Sequence, residues 1–150
     1  MINSIQNQAY SRDLIGYHGQ PPNAQWPNQA RIAVQFVLNY EEGAENHIEH
    51  GDAGSEQFLS EIVGAASFND KHMSMDSMYE YGSRAGFWRI HNEFKKRNLP
   101  MTIFGVGMAL ARNPHIVEAI QTSNYDVVSH GQRWLHYQHM DIETERQHMD

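Results

Sequence analysis

The sequence has no cysteine and comparatively few basic residues. Without cysteine there can be no disulfide framework, no thiolate nucleophile and no cysteine-based zinc site. Eighteen acidic residues outnumber eleven Lys and Arg, for a net charge of −7. This charge repels phosphate backbones and anionic lipid surfaces, so we expect neither nucleic acid nor a membrane as partner.

Long apolar runs are also missing from the sequence. No stretch approaches the length of a transmembrane helix, and the start MINSIQNQAYSRDL has neither the basic nor the apolar region of a signal peptide. These features predict a cytoplasmic protein. The hydrophobic content of 40% is ordinary for a chain that buries a single core.

Hydrophobic periodicity and capping residues indicate an alternation of strands and helices. Asn, Gln and Pro dominate residues 1–30, which predicts an extended N-terminal segment before a domain over residues 31–150. The predicted strands cover 31–39, 99–107 and 125–129, and the first is apolar on both faces. Helices are predicted over 55–63, over 83–97 with Ser83 as cap, after Asn113-Pro114, and after Asp141.

This order predicts an α/β fold with a parallel sheet and right-handed crossovers. A closed barrel of this type needs roughly 200 residues or more, so the chain would form only part of one. The last predicted helix has a start signal and no stop signal, and we therefore expect the protein to continue beyond residue 150.

Ionisable residues follow the first and third predicted strands, and the carboxyl ends of parallel strands are where α/β folds gather their sites. Glu41 and Glu42 follow the first strand, and His130 and Arg133 follow the third. A carboxylate and a histidine can activate water for amide hydrolysis. If the strand geometry persists, the two glutamates point to opposite faces, and if the loop bends both enter the site. A solvated turn and a structural histidine explain the same residues without chemistry.

Ten histidines raise the question of a metal site. His47 and His50 lie beside Glu45 and Glu49, and His136 and His139 are three residues apart. Such groups bind Zn or Ni, but no spacing here completes three ligands, so we predict solvated histidines rather than a metal centre. Met73, Met75 and Met78 are interpreted as packing residues.

Three segments carry a resemblance to the polysaccharide deacetylase family. RIAVQFVLNYEEG lies where that family has an apolar strand ending in Thr-Phe-Asp-Asp-Gly, MTIFGVG is similar to its Ala-Thr-Phe-Phe-Val-x-Gly strand, and NPHIVEAIQTSNYDVVSHG is similar to its helix and His-motif strand. Within the family, YSRDLIGY, WPNQARIAVQFVLNYEEG, YEYGSRAGFWRI and SHGQRW resemble the allantoinase branch. The resemblance implies the N-terminal part of a deformed (β/α) barrel of the polysaccharide deacetylase type over residues 31–150.

The resemblance also implies roles for individual residues. Glu41 matches the family's catalytic base, and the family's metal triad falls on Glu42, His130 and Trp134. An indole N–H only donates and cannot replace a histidine ligand. The allantoinase branch is regarded as working without this metal, so we expect no cofactor.

The predicted function is therefore hydrolysis of the hydantoin ring of allantoin to allantoate. Glu41 and His130 would be catalytic, while Glu42, Arg84, Arg133 and Trp134 would contact the substrate, in what we expect to be a homo-oligomer. One alternative is a metal-dependent carbohydrate N-deacetylase in which Glu42 and His130 hold Zn or Ni with a third ligand such as His136. Another is a noncatalytic barrel that binds sugars or a partner protein.

Overall fold

A computed structural model describes residues 11–150 of the chain. Residues 1–10, which include the beginning of the predicted N-terminal segment and Tyr10 of the YSRDLIGY run, lie outside the described residues. The chain divides into two compact units, Met1–Val34 and Gln35–Asp150. In the described part of the first unit the regular structure is one 3-10 turn, Pro27–Gln29. The predicted domain boundary after residue 30 stays a prediction.

The second unit is an α/β structure built on a parallel sheet. Its strands are β1 (Val37–Tyr40), β2 (Thr102–Gly105) and β3 (Asp126–Ser129). They pair in the order β1-β2-β3, with both pairs parallel. Its α-helices are α1 (Met73–Tyr81), α2 (Phe87–Arg97), α3 (Gly107–Ala111), α4 (Pro114–Thr122) and α5 (Ile142–Met149). Short 3-10 turns cover Ile48–His50 and Tyr137–His139.

A π-helical turn, Gly82–Gly86, joins α1 to α2 without a break in the helical path. The predicted helix began at Ser83, so its start was wrong by ten residues. His72 precedes the true start and makes no side-chain cap bond, which is why no capping signal marks it. Met75 is buried, as expected for packing, but Met73 and Met78 are exposed.

The core lies along β2 and the helices that pack on the sheet. Ile103, Val106 and Ile116 are fully buried, and Phe87 is buried where α2 begins. The predicted caps at Asn113 and Asp141 are confirmed: Asn113 accepts the Ile116 N–H, and Asp141 accepts the N–H groups of Glu143 and Thr144. The predicted cap at Ser83 was wrong, because Ser83 lies inside the π turn and its hydroxyl donates to the Glu80 carbonyl. Asn98 and Asn124 adopt the left-handed conformation after α2 and α4.

The first strand is shorter than predicted. Regular pairing begins at Val37, and one further bond joins the Thr102 N–H to the Phe36 carbonyl. The expectation that both faces are buried was wrong, since Ile32, Val34 and Val37 are exposed. A strand needs a paired neighbour, and the pairing with β2 starts only at Thr102.

The predicted helix over 55–63 is absent, and irregular turns take its place. The Glu56 carboxylate accepts the Gln57 and Phe58 N–H groups, and the Ser60 hydroxyl accepts the Ile62 N–H. These local bonds satisfy backbone donors in a non-helical conformation. Within residues 11–150, no helix has the length and apolarity that crossing a bilayer requires.

Candidate active site

Glu41 and His130 meet at the carboxyl edge of the sheet. Glu41 directly follows β1, and His130 directly follows β3, so the two side chains reach towards each other from the strands that flank β2. His130 Nε2 lies 2.7 Å from Glu41 Oε1. The His130 backbone N–H donates to the Gly105 carbonyl at 3.0 Å, which fixes the histidine at the end of β2. The predicted placement of His130 at a strand end is confirmed.

Within residues 11–150, the two polar contacts of the Glu41 carboxylate go to the same oxygen. The Asn39 side-chain amide donates to Oε1 at 3.2 Å, and His130 bonds the same atom. The contact is a hydrogen bond from His130 to the carboxylate in the tautomer that carries its proton on Nε2. In the described part of the chain Oε2 of Glu41 accepts no hydrogen bond, and both side chains are partly open to solvent.

Glu42 points away from this pair. Its Oε2 accepts the Glu41 backbone N–H at 3.2 Å, and its carboxylate lies against Gly82 in the π turn. Burial, reinforced by the nearby carboxylates of Glu41 and Glu45, raises the pKa of Glu42 above its ordinary value. The strand ends at Tyr40, before either glutamate, and the two carboxylates have different partners: Glu41 contacts His130 and Glu42 lies against Gly82.

Arg133 is buried beneath the loop that follows β1. Its guanidinium donates to both oxygens of Asp52, at 3.2 and 2.5 Å, and to the Glu45 carbonyl at 3.1 Å. Burial would raise the pKa of Asp52, but hydrogen bonds from Arg133 and from the His47 N–H hold it below its ordinary value. Arg133 thus ties the loop after β1 to the loop that carries His130, and its predicted contact with substrate stays a prediction.

Arg84 and Trp134 lie in different surroundings. Arg84 is exposed and pairs with Glu80 on the same helical path at 2.8 Å, so its predicted substrate role also stays a prediction. Trp134 packs edge-on against Phe58 and Tyr79, with ring centroids 5.6 and 6.2 Å away. Trp134 and His130 both line an open cavity of about 780 Å³ beside β3.

The donor set does not suit the family's three-ligand metal centre. Of the three matching positions, Trp134 has only an N–H donor, the Glu42 carboxylate lies against Gly82, and His130 bonds Glu41. The loop histidines are engaged as well: His47 bonds the Glu49 N–H, and His50 bonds Arg112 and the Glu45 carbonyl. In residues 11–150 no group of three His, Asp or Glu side chains is arranged to hold a metal ion. The expectation that no cofactor is needed stays a prediction.

Sequence analysis missed two residues that shape this site. Asp52 fixes Arg133, and Gly82 makes room for Glu42. Asp52 lies in a polar loop where carboxylates usually face solvent, and its partner is 81 positions away. Gly82 belongs to the segment YEYGSRAGFWRI, which carries part of the family resemblance. Nothing in the neighbouring residues indicates that Gly82 contacts Glu42.

A parallel sheet with a carboxylate–histidine pair at its carboxyl edge defines the chain as a member of the α/β class whose sites lie at strand ends. Residues 68–150 match the profile of the family described as Polysaccharide deacetylase. The chain belongs to the polysaccharide deacetylase family.

Individual relatives agree with this assignment. A protein of Schizosaccharomyces pombe described as a putative polysaccharide deacetylase is 43% identical over 143 residues, covering 93% of this chain and 44% of the relative. The crystal structure of Puue allantoinase matches with 54% identity and a TM-score of 0.85, and a probable polysaccharide deacetylase from Pseudomonas aeruginosa PAO1 with 55% and 0.86. Each structural match covers 93% of this chain and 47% of the other. The chain thus spans about half the length of these relatives, and the predicted fold class is confirmed.

Proposed function

We propose that the protein containing this chain hydrolyses a C–N bond in a small cyclic amide, opening the hydantoin ring of allantoin to allantoate. The observation that carries the proposal is the 2.7 Å contact between Glu41 and His130. The family resemblance implies in addition that Trp134 stands where a metal-binding histidine would be. The similarity to Puue allantoinase supports the choice of substrate.

The proposal assigns Glu41 the part of general base. His130 and Asn39 hold Oε1, so Oε2 is the oxygen that takes a proton from water as the water attacks the ring carbonyl. The C–N bond then breaks, and the proton held by Glu41 passes to the departing ring nitrogen. In this scheme the Glu41 carboxylate first accepts a proton and then donates it, so it returns to its ionised state after each turnover. The direct contact of His130 with the reacting carbonyl stays a prediction.

The cavity on the His130 side of the pair suits a small planar substrate. The cavity beside β3 is lined by His130 and Trp134, and a small planar ring can pack against an indole face while polar groups fix its orientation. Trp134 packs edge-on against Phe58 and Tyr79, and these contacts restrict the motion of the indole. The homo-oligomeric state and the cytoplasmic location stay predictions.

A carbohydrate N-deacetylase is the second candidate, and the descriptions of two relatives favour it. It would attack an acetamide, and its family chemistry requires a metal held by protein ligands. The two candidates therefore differ in substrate and in their dependence on metal.

The test uses the complete reading frame that contains this chain, expressed, purified and stripped with a chelator. Allantoate production from allantoin and acetate release from N-acetylglucosamine oligomers are measured with and without added Zn or Ni. Ring opening that survives the chelator supports the proposal. Acetate release that depends on added metal, with no ring opening, refutes it in favour of the deacetylase.

A further inference from the structure

The long helical path from Met73 to Arg97 contains one irregularity, the π turn Gly82–Gly86. Short π-helical segments inside α-helices are rare and often occur at functional sites, because they cost hydrogen-bond geometry. Here the first residue of the π turn faces the loop that follows β1, where Glu42 lies against it.

Gly82 forms a notch for the Glu42 carboxylate. A methyl group at Gly82 would overlap Glu42 Oε1 and would lie 2.7 Å from Cδ and 3.0 Å from Cγ. Gly82 has ordinary helical φ and ψ angles, so its backbone conformation does not demand glycine. The need for glycine at this position is therefore steric, and the atoms it accommodates belong to Glu42.

Glu42 in turn contacts the backbone of the proposed base. Its Oε2 accepts the Glu41 N–H, and Glu41 Oε1 bonds His130. A shift of the Glu42 carboxylate would therefore alter the backbone on which Glu41 is mounted. The chain of contacts runs from Gly82 through Glu42 to Glu41 and His130.

We propose that Glu42 is a positioning residue: seated in the Gly82 notch, it holds the Glu41 backbone so that the Glu41 carboxylate meets His130. The expected effect on kcat rests on the proposed hydrolytic function. The contacts that link Gly82 and Glu42 to Glu41 and His130 do not depend on that function. It assigns Glu42 neither to the substrate nor to a metal.

Two glycines of the same π turn supply a matched pair of variants. Gly82→Ala pushes the Glu42 carboxylate by roughly 1 Å, because the overlapping atoms are the end of a side chain that can move. Gly86→Ala places its methyl group 3.6 Å from the Tyr81 carbonyl, an ordinary contact. Both glycines have helical angles, so the two substitutions change helix propensity equally.

The experiment measures kcat and KM for allantoin with the complete protein. The proposal requires the shift of Glu42 to carry the Glu41 backbone with it, and a misplacement of about 1 Å at a catalytic group can cost about 100-fold in rate. We therefore expect Gly82→Ala to lower kcat by about 10- to 100-fold with little change in KM. Gly86→Ala should stay within about twofold of wild type, because it introduces no such displacement. Equal kcat values for the two variants, or a change confined to KM, would overturn the proposal.

A spectroscopic measurement keeps the inference separate from the proposed function. The ¹⁵N shifts of the His130 ring report the Nε2 contact with Glu41 and need no substrate. Gly82→Ala should change them and Gly86→Ala should not, while far-ultraviolet circular dichroism shows that both variants are folded. If wild type does not open allantoin yet the His130 shifts respond as expected, the function is refuted and the positioning stands. Unchanged His130 shifts in Gly82→Ala refute the positioning.

Discussion

Replacing Asp52 by alanine removes the carboxylate that neutralises a buried guanidinium. The Arg133 side chain is 10% exposed and that of Asp52 is 17% exposed, and the pair is joined by two hydrogen bonds. Removing one partner of a fully buried pair costs ~3–5 kcal/mol, because the other charge remains without its partner. Since water reaches Asp52 in part, we expect the free energy of unfolding to fall by ~2–4 kcal/mol.

The assay is urea unfolding of the complete protein, followed by circular dichroism at neutral pH. The matched control is Glu80→Ala, which breaks an exposed arginine–carboxylate pair four residues apart and should cost less than ~0.5 kcal/mol. A loss for Asp52→Ala no larger than that of the control would refute the assignment of Arg133 as the buried link between the two site loops.

The same pair has a defined pH dependence. The pKa of Asp52 is lower in the folded state than its ordinary value of 3.8, so its stabilising contribution is complete above that value. The contribution is lost as the pH falls through the folded-state pKa. The stability difference between wild type and Asp52→Ala should therefore shrink in strong acid, and a constant difference would contradict the pairing.

Three further predictions concern the core and its edges. Ile103→Ala, at a fully buried position in β2, should lower the free energy of unfolding by ~2–5 kcal/mol, and Ile103→Val by ~0.5–1.5 kcal/mol. Asn113→Ala should cost ~1 kcal/mol in the same urea assay, because it removes the cap on the Ile116 N–H. Burial lowers the pKa of His91, which contacts the Tyr125 hydroxyl at 3.3 Å, so wild type should lose stability as the pH falls below 6.5. His91→Asn should show a weaker dependence of the urea midpoint on pH in this range, and an unchanged slope would contradict this origin.

The sequence was informative where local rules decide the structure. Asn113 before Pro114, Asp141 before α5, and the left-handed Asn98 and Asn124 all follow from capping preferences within a few residues. The parallel sheet follows from the alternation of elements. The position of His130 follows from the predicted third strand, which ends at residue 129, and from the parallel arrangement of the strands.

The sequence failed where a distant partner decides the structure. Apolar periodicity over 31–39 reports hydrophobicity but not which residues find a neighbouring strand, so the start of β1 was placed too early. The predicted helix over 55–63 does not form, because the side chains of Glu56 and Ser60 accept hydrogen bonds from backbone N–H groups that a helix would use. The contact between Gly82 and Glu42 joins residues forty positions apart, and no local pattern encodes it.

The candidate site divides in the same way. Glu41 and His130 were found because they lie at or just beyond the ends of the first and third predicted strands, and strand ends converge in a parallel sheet. The surroundings of Arg133 could not be foreseen, since its partner Asp52 belongs to an irregular loop. Residue type alone does not distinguish an arginine that binds a substrate from one that joins two loops.

The most direct test of the account is the rate at which the Glu41→Gln variant of the complete protein, stripped of metal with a chelator, opens the ring of allantoin. The amide keeps the size of the side chain and accepts from His130, but it cannot take a proton from water. Glu61→Gln, at an exposed position in the loop after β1, is the matched control. The account predicts that kcat falls by ~100-fold or more for Glu41→Gln, at unchanged stability, and stays at the wild-type value for Glu61→Gln. Equal turnover by wild type and Glu41→Gln would contradict it.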